Sequence, residues 1–151
     1  MTLAIMTVAD SIAALEVAGV RILDLDQVPD ALTERDCPVL FPEPLNYVTE
    51  FSVERNSTGA DLTEARKTAY YTLNYTFAYM PVGSGRTGLS RYDDMIRKLF
   101  AIIDQVILNS TITGLVDIEP QEMVELGPVP DPAGNQFLGC RLRFRCMEFI
   151  N

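Results

Sequence analysis

No histidine occurs among the 151 residues. That removes histidine-based general acid–base chemistry, Ser-His-Asp triads and histidine metal ligation from this chain. Cysteine is scarce, with three residues and no C-x-x-C pair. An odd, scattered set argues for a reducing compartment and against a disulfide framework. Cys140 and Cys146 fall in one predicted strand, where about 3.4 Å per residue sets them roughly 20 Å apart, too far to bridge. They read as buried structural thiols. Long apolar runs are missing as well: none approaches the roughly 18–20 residues that span a bilayer, so no membrane association is expected. The opening MTLAIMTVADSIAALEVAG has no basic region and carries Asp10 and Glu16. It does not read as a signal peptide, and the Asn56-Ser57-Thr58 sequon therefore carries no expectation of glycosylation. Basic residues are the minority, 12 against 21 acidic, for a net charge of −9. Such a chain repels a phosphate backbone, which argues against sequence-specific DNA binding. The same acidity suits a surface along which DNA slides without sticking.

What is present is a foldable core. Apolar residues make up 48% of the chain, enough for a single domain over 1–151. Its organising stretch is Arg66–Met80, RKTAYYTLNYTFAYM. Tyr71, Leu73, Tyr75, Phe77 and Tyr79 alternate with Thr72, Asn74, Thr76 and Ala78, the period of a strand with one buried face. A strand buried on both sides in a parallel sheet would read as a continuous apolar run. The alternation therefore places it centrally in an antiparallel or mixed sheet.

The remaining elements follow in order. Residues 2–18 read as a helix, with Leu3, Met6, Ile12 and Leu15 near helical spacing and Gly19 as its stop. Val20–Leu25 is a short extended piece. Cys37–Pro44 holds three prolines around an apolar trio, which suits an edge or crossing segment. Tyr47–Arg55 alternates as a strand, and Asn56–Glu64 is a polar, turn-rich tip. Pro81–Leu89 is a glycine-rich loop. Ser90–Asn109 reads as a helix with an apolar face, a Ser90/Asp93 capping box, and Asp93–Arg97 and Asp94–Lys98 pairs. Leu115–Leu126 is a predicted strand with Val116 and Ile118 inward. Gly127–Gln136 is a loop, and Phe137–Ile150 is a strand with Leu138, Cys140, Leu142, Phe144 and Cys146 on one face. The fold class expected is α+β: about four to five strands, antiparallel or mixed, with two main helices packed on them.

Few constellations carry chemistry. Gly83-Ser-Gly85-Arg-Thr-Gly88 matches GxGxxG after a strand and before a helix. The alternating strand before it, the intervening Pro81 and Val82, and the lack of a second parallel strand ending in an acid weigh against a dinucleotide site. Leu89 also replaces the lysine of a phosphate-binding loop, so a plain loop is the preferred reading. Arg141, Arg143 and Arg145 share one strand face about 6.8 Å apart. They form either a stripe that grips an acidic partner or a solvated face paired with Asp117 and Glu119. Asp117 with Glu119, and Asp24 with Asp26, fall short of the six to eight oxygens calcium takes. Tyr71, Tyr75 and Tyr79 suit a core rather than a ligand stripe. No nucleophile–base pair stands out, so no catalytic residue, cofactor or metal is assigned.

The order of elements resembles the tail terminator proteins of long-tailed bacteriophages. The resemblance rests on the opening helix followed by Asp24-Leu25-Asp26 and Pro29, then CPVLFPEP. It continues through LNYTFAYMPVGSGRTG before a long helix, and ends with GPVPDPAGNQFLGCRLRFRCMEF. It implies a small sheet with packed helices, assembled as a homohexameric ring, and no catalysis. It implies three partners: the major tail tube protein, a head-completion or connector protein, and DNA passing through the lumen without sequence specificity. The location implied is the virion tail or neck, assembled in the cytoplasm of a host bacterium. Alternatives are another head–tail joining protein, or a small nucleotide-binding enzyme using Gly83–Gly88. Long loops and exposed strand edges are where a ring contact would form. The candidate interface residues are Asp61, Glu64 and Lys67, then Gly83, Gly85 and Arg86, and the stripe Arg141, Arg143 and Arg145.

Overall fold

The computed structural model describes residues 4–56, 66–83, 89–108, 115, 117–121 and 124–150. In chain order its elements are α1 (Ile5–Ala13), β1 (Arg21–Ile22), β2 (Val39–Pro42), β3 (Val48–Asn56), β4 (Arg66–Pro81), α2 (Leu89–Leu108), β5 (Asp117–Pro120), β6 (Leu126–Pro130) and β7 (Gln136–Ile150). Single 3-10 turns occupy Leu25–Gln27 and Glu34–Asp36.

The two segments with the longest alternation become the two longest strands, and they pair. β4 and β7 run antiparallel from Lys67↔Ile150 to Pro81↔Phe137, with one irregularity between Ala78 and Met80. Short strands flank this pair end to end. β2 and β3 share the outer edge of β4, and β5 and β6 share the outer edge of β7. β1 joins β2 in parallel, so the seven-stranded sheet is mixed. It curls into a half-barrel, and with the two helices the fold is α+β. The strand count exceeds the expected four to five because β1 is two residues long and β6 contains two prolines. Pro128 and Pro130 are tolerated because β6 is an edge strand with one unpaired side.

Both helices cover one face of the sheet. Tyr71, Leu73, Tyr75 and Phe77 from β4 join Leu142, Phe144 and Cys146 from β7 in one buried cluster with Val8 and Ile12 of α1 and Met95, Leu99, Ile102 and Val106 of α2. Burying each such side chain contributes about 1.5–3 kcal/mol. The tyrosine hydroxyls in this layer are satisfied. Tyr75 and Tyr47 share a 3.0 Å hydrogen bond, and Tyr71 donates to Glu148 at 2.6 Å. Glu148 is buried and also accepts the Ala4 N–H at 3.0 Å, so a carboxylate from β7 binds a free donor at the start of α1. Burial, and then the contact with Glu148, push the Tyr71 phenol up.

Several expectations need correction. β4 is covered on both faces: Thr72, Asn74, Thr76 and Ala78 are buried too. A smaller cluster on the far side explains part of this, with Leu32, Val39, Phe41, Val129 and Phe137 around Ala78. The first helix stops at Ala13, and Gly19 is not its stop. Gly19 instead takes φ +76° in the turn bridged by Val17 and Val20, a left-handed position that suits glycine. β2 is not an edge, since it lies between β1 and β4. Ser90 sits inside α2 rather than capping it, because the helix begins at Leu89. The segment 115–126 is not one strand: β5 covers only Asp117–Pro120, and the supposed loop after it begins with β6. Val116 and the tip over 57–65 lie outside the described residues.

Thiol reactivity follows from this packing. Burial pushes Cys140 and Cys146 up to about 12, and burial with the nearby Asp36 and Glu34 charges pushes Cys37 up to about 11. At pH 8 the reactive thiolate is therefore a very small fraction of each. Intact-mass measurement after a short exposure to a thiol reagent should find the native protein essentially unlabelled. The urea-unfolded protein should take up three labels. Fast native labelling at Cys140 or Cys146 would contradict the packing of β7.

Candidate functional site

On the face of the sheet that carries no helix, a polar, arginine-lined stretch lies beside the small apolar cluster. Strand alternation in β7 turns Arg141, Arg143 and Arg145 to this side, and all three are exposed. Register places them opposite Thr76, Asn74 and Thr72 of β4. Those three residues are buried yet polar, and each is satisfied from the neighbouring edge. Thr76 Oγ1 donates to Glu43 at 3.2 Å, and Thr72 Oγ1 donates to Glu50 at 3.0 Å. Asn74 Nδ2 donates to the Asn46 carbonyl and to Thr49 Oγ1, both at 2.8 Å. Glu50 has φ +53°, an uncommon value for a side chain other than glycine, at the point where the β3 register shifts. That shift aims its carboxylate at Thr72.

The arginines differ in how they are neutralised. Arg141 pairs with Glu43 at 3.3 Å. The Arg145 guanidinium lies 6.0 Å from the Tyr70 ring centroid, within cation–π range. Arg143 has no ion pair among the described residues. The expected pairing with Asp117 and Glu119 does not form. Glu119 is the register partner of Arg145, but no ion pair joins them, and Asp117 stands opposite Met147. Two cavities adjoin on this face and share Arg143 and Gln121. One, of about 670 Å³, runs under Glu125 and β6 to Arg141, and the other, of about 370 Å³, includes Glu50, Thr72, Glu119 and Arg145.

The other candidate residues are not brought to this face. Lys67 is exposed at the far end of β4, opposite Ile150, on the side that faces the helices. Gly83 is exposed with φ +87°. Gly85, Arg86, Asp61 and Glu64 lie outside the described residues. The strand before the glycine-rich loop is antiparallel to each of its neighbours, and the β1–β2 pair is the parallel one. The parallel β-α-β context of a dinucleotide site is therefore not met around β4. Near the N-terminal half of α2, Tyr79 donates to Asp94 at 2.5 Å and Lys98 donates to the same carboxylate at 2.7 Å. Lys98, then Tyr79, hold Asp94 below the usual carboxylate range, and the cluster is internally satisfied.

Sequence reasoning missed Glu43, Glu50 and Glu148. The polar run Thr72, Asn74, Thr76 was a usable signal, because a buried strand can hide such residues only where neighbours bond them. Among the described residues no group of three or more Cys, Asp and Glu is placed to hold a metal ion, and no helix is long and apolar enough to cross a membrane. Compared with protein-family models and with curated proteins, the chain finds no match in either.

Proposed function

We propose that this chain is a structural ring subunit of the tail-terminator type, capping the tail tube of a long-tailed phage and joining it to the head. The observation that supports a contact between subunits is the arginine face. Three of the chain's 12 basic residues stand in one row on an exposed sheet face of a chain with net charge −9. Arg143 and Arg145 lack a carboxylate partner among the described residues. A row of this kind suits an acidic protein surface, and the nearest supply of acidic surface is another copy. The cluster Asp10, Asp24 and Asp26 is such a surface. At Asp10 the hydrogen bond with Asp24, and then the nearby charges, hold the carboxyl above its ordinary value. Head-to-tail contacts between unlike surfaces close into a ring where the rotation between subunits closes, and otherwise give an open filament. Homohexamers, the tail tube, the connector and the passing DNA enter from the resemblance alone.

The test is Arg143→Glu, with two readouts. An interface role predicts an intact fold and a melting temperature near that of the parent. The melting temperatures compared are those of the isolated subunits. An interface role also predicts impaired assembly into rings or onto tails, worse at low salt, where like charges are least screened. Normal assembly would remove Arg143 from the interface, and an unfolded subunit would assign it to the fold's own charge network. Native mass by light scattering decides whether rings form at all.

A further inference from the structure

The helix layer ends in an uncovered apolar flank. On α2, Met95, Leu99, Ile102 and Val106 face the sheet and are buried. About a quarter turn away, at about 100° per residue, runs a second apolar stripe. It consists of Leu89, Tyr92, Ile96, Phe100, Ile103 and Ile107. Phe100 is 60% exposed and Leu89 90%, while Ile96 and Ile103 are half-buried. Leu89, Tyr92, Phe100 and Ile107 of this stripe are exposed. The opposite flank of α2 is occupied, with Lys98 bonded to Asp94 and lying against Gly19. The spacing 96, 100, 103, 107 alternates fours and threes, as a helix-pairing seam does.

The charges beside the stripe select its occupant. Arg97 and Asp104 border its central part on the solvent side, and both are exposed. Suppose a second α2 runs antiparallel, so that Phe100 meets Ile103 of the copy and Ile96 meets Ile107. Arg97 of each helix then stands beside Asp104 of the other, twice over. A parallel pairing in register puts the two borders on opposite sides of the seam and leaves both charges alone. Within the subunit Arg97 has only the exposed pair with Asp93 at 2.8 Å, and Asp104 has no ion pair among the described residues. Because the stripe lies on the flank of the helix layer, the second helix continues that layer, with each sheet beneath its own helix.

We infer that α2 pairs antiparallel with α2 of a second copy, in a two-fold contact centred between Phe100 and Ile103. This does not rest on the ring reading. A ring closes head to tail, whereas this contact uses the same surface on both partners and closes on itself. In an assembled ring it would join one ring to another.

Light scattering over a concentration series tests it on four proteins: the parent, Phe100→Glu, Arg97→Asp, and Arg97→Asp with Asp104→Arg. The parent should form particles of even subunit number. Phe100→Glu should halve their mass while leaving the far-UV circular dichroism spectrum unchanged, since the side chain is exposed within the subunit, and its melting temperature should lose the concentration dependence that pairing gives the parent. Arg97→Asp should weaken the pairing by about tenfold, and the double variant should restore it. The inference falls if the parent is monomeric at every concentration reached, if Phe100→Glu leaves the mass unchanged, or if the double variant stays as weak as the single one. A six-fold particle untouched by Phe100→Glu but lost in Arg143→Glu would overturn this contact and uphold the ring.

Discussion

Gly139→Ala should leave little native protein. Gly139 lies in β7 opposite Ala78, beside the irregularity in the β4–β7 ladder. A Cβ added there would sit 1.8 Å from the Phe77 carbonyl oxygen and 2.9 Å from its carbon. Those atoms belong to the backbone of the central strand, so no side-chain rotation relieves the overlap. Relief requires the two longest strands to part where both faces are packed. A glycine inside a strand commonly marks this kind of close backbone approach. The expected cost is about 4 kcal/mol or more, in the rare tail of single substitutions, against a total stability of about 5–15 kcal/mol. Far-UV circular dichroism with a thermal melt reads it directly. A soluble Gly139→Ala protein melting near the parent would mean that β4 and β7 are not this close.

Phe144→Ala should cost about 3–5 kcal/mol. Phe144 is fully buried, opposite Leu73, and meets Tyr75 edge to face with ring centroids 5.8 Å apart. Tyr75 cannot tilt into the vacated space without losing its hydrogen bond to Tyr47. The cavity therefore stays open, and the cost sits toward the upper part of the range. Urea midpoints at constant slope measure it. A loss below about 1 kcal/mol would show that Phe144 faces solvent, which would reverse the two faces of β7 and expose the arginine row to the core.

The sequence carried the parts of the fold that repeat. Alternation in Arg66–Met80 and in Phe137–Ile150 located β4 and β7 and gave the helix-facing side of each correctly, and helical spacing located α2. The parts it hid depend on contacts between distant residues. β6 was read as a loop because Pro128 and Pro130 signal turns, and only its edge position makes them acceptable. Glu148 had no local signal: it is buried, and Tyr71 and Ala4 both donate to it. For the site, the arginine row was legible from its period of two. Its partners were not, since Glu43 and Glu50 arrive from the other edge of β4 and no local pattern announces them. The apolar flank of α2 was hidden for a different reason: Ile96, Ile103 and Ile107 fit the same helical arc as the core positions, and only the packing separates the two sets.

The β4–β7 ladder also has a kinetic consequence. The sequence between those strands holds all of α2, β5 and β6. During synthesis β4 emerges with β2 and β3 available for one edge, while the partner for its whole other edge is still to be made. Pairing this remote in sequence forms slowly, because a long loop must close before its contacts stabilise it. Until then the alternating aromatic strand presents an open row of N–H and C=O groups, the arrangement that recruits strands from other chains. Expression at lower temperature, or with chaperones that shield such edges, should therefore improve soluble yield more than any stabilisation of the finished fold.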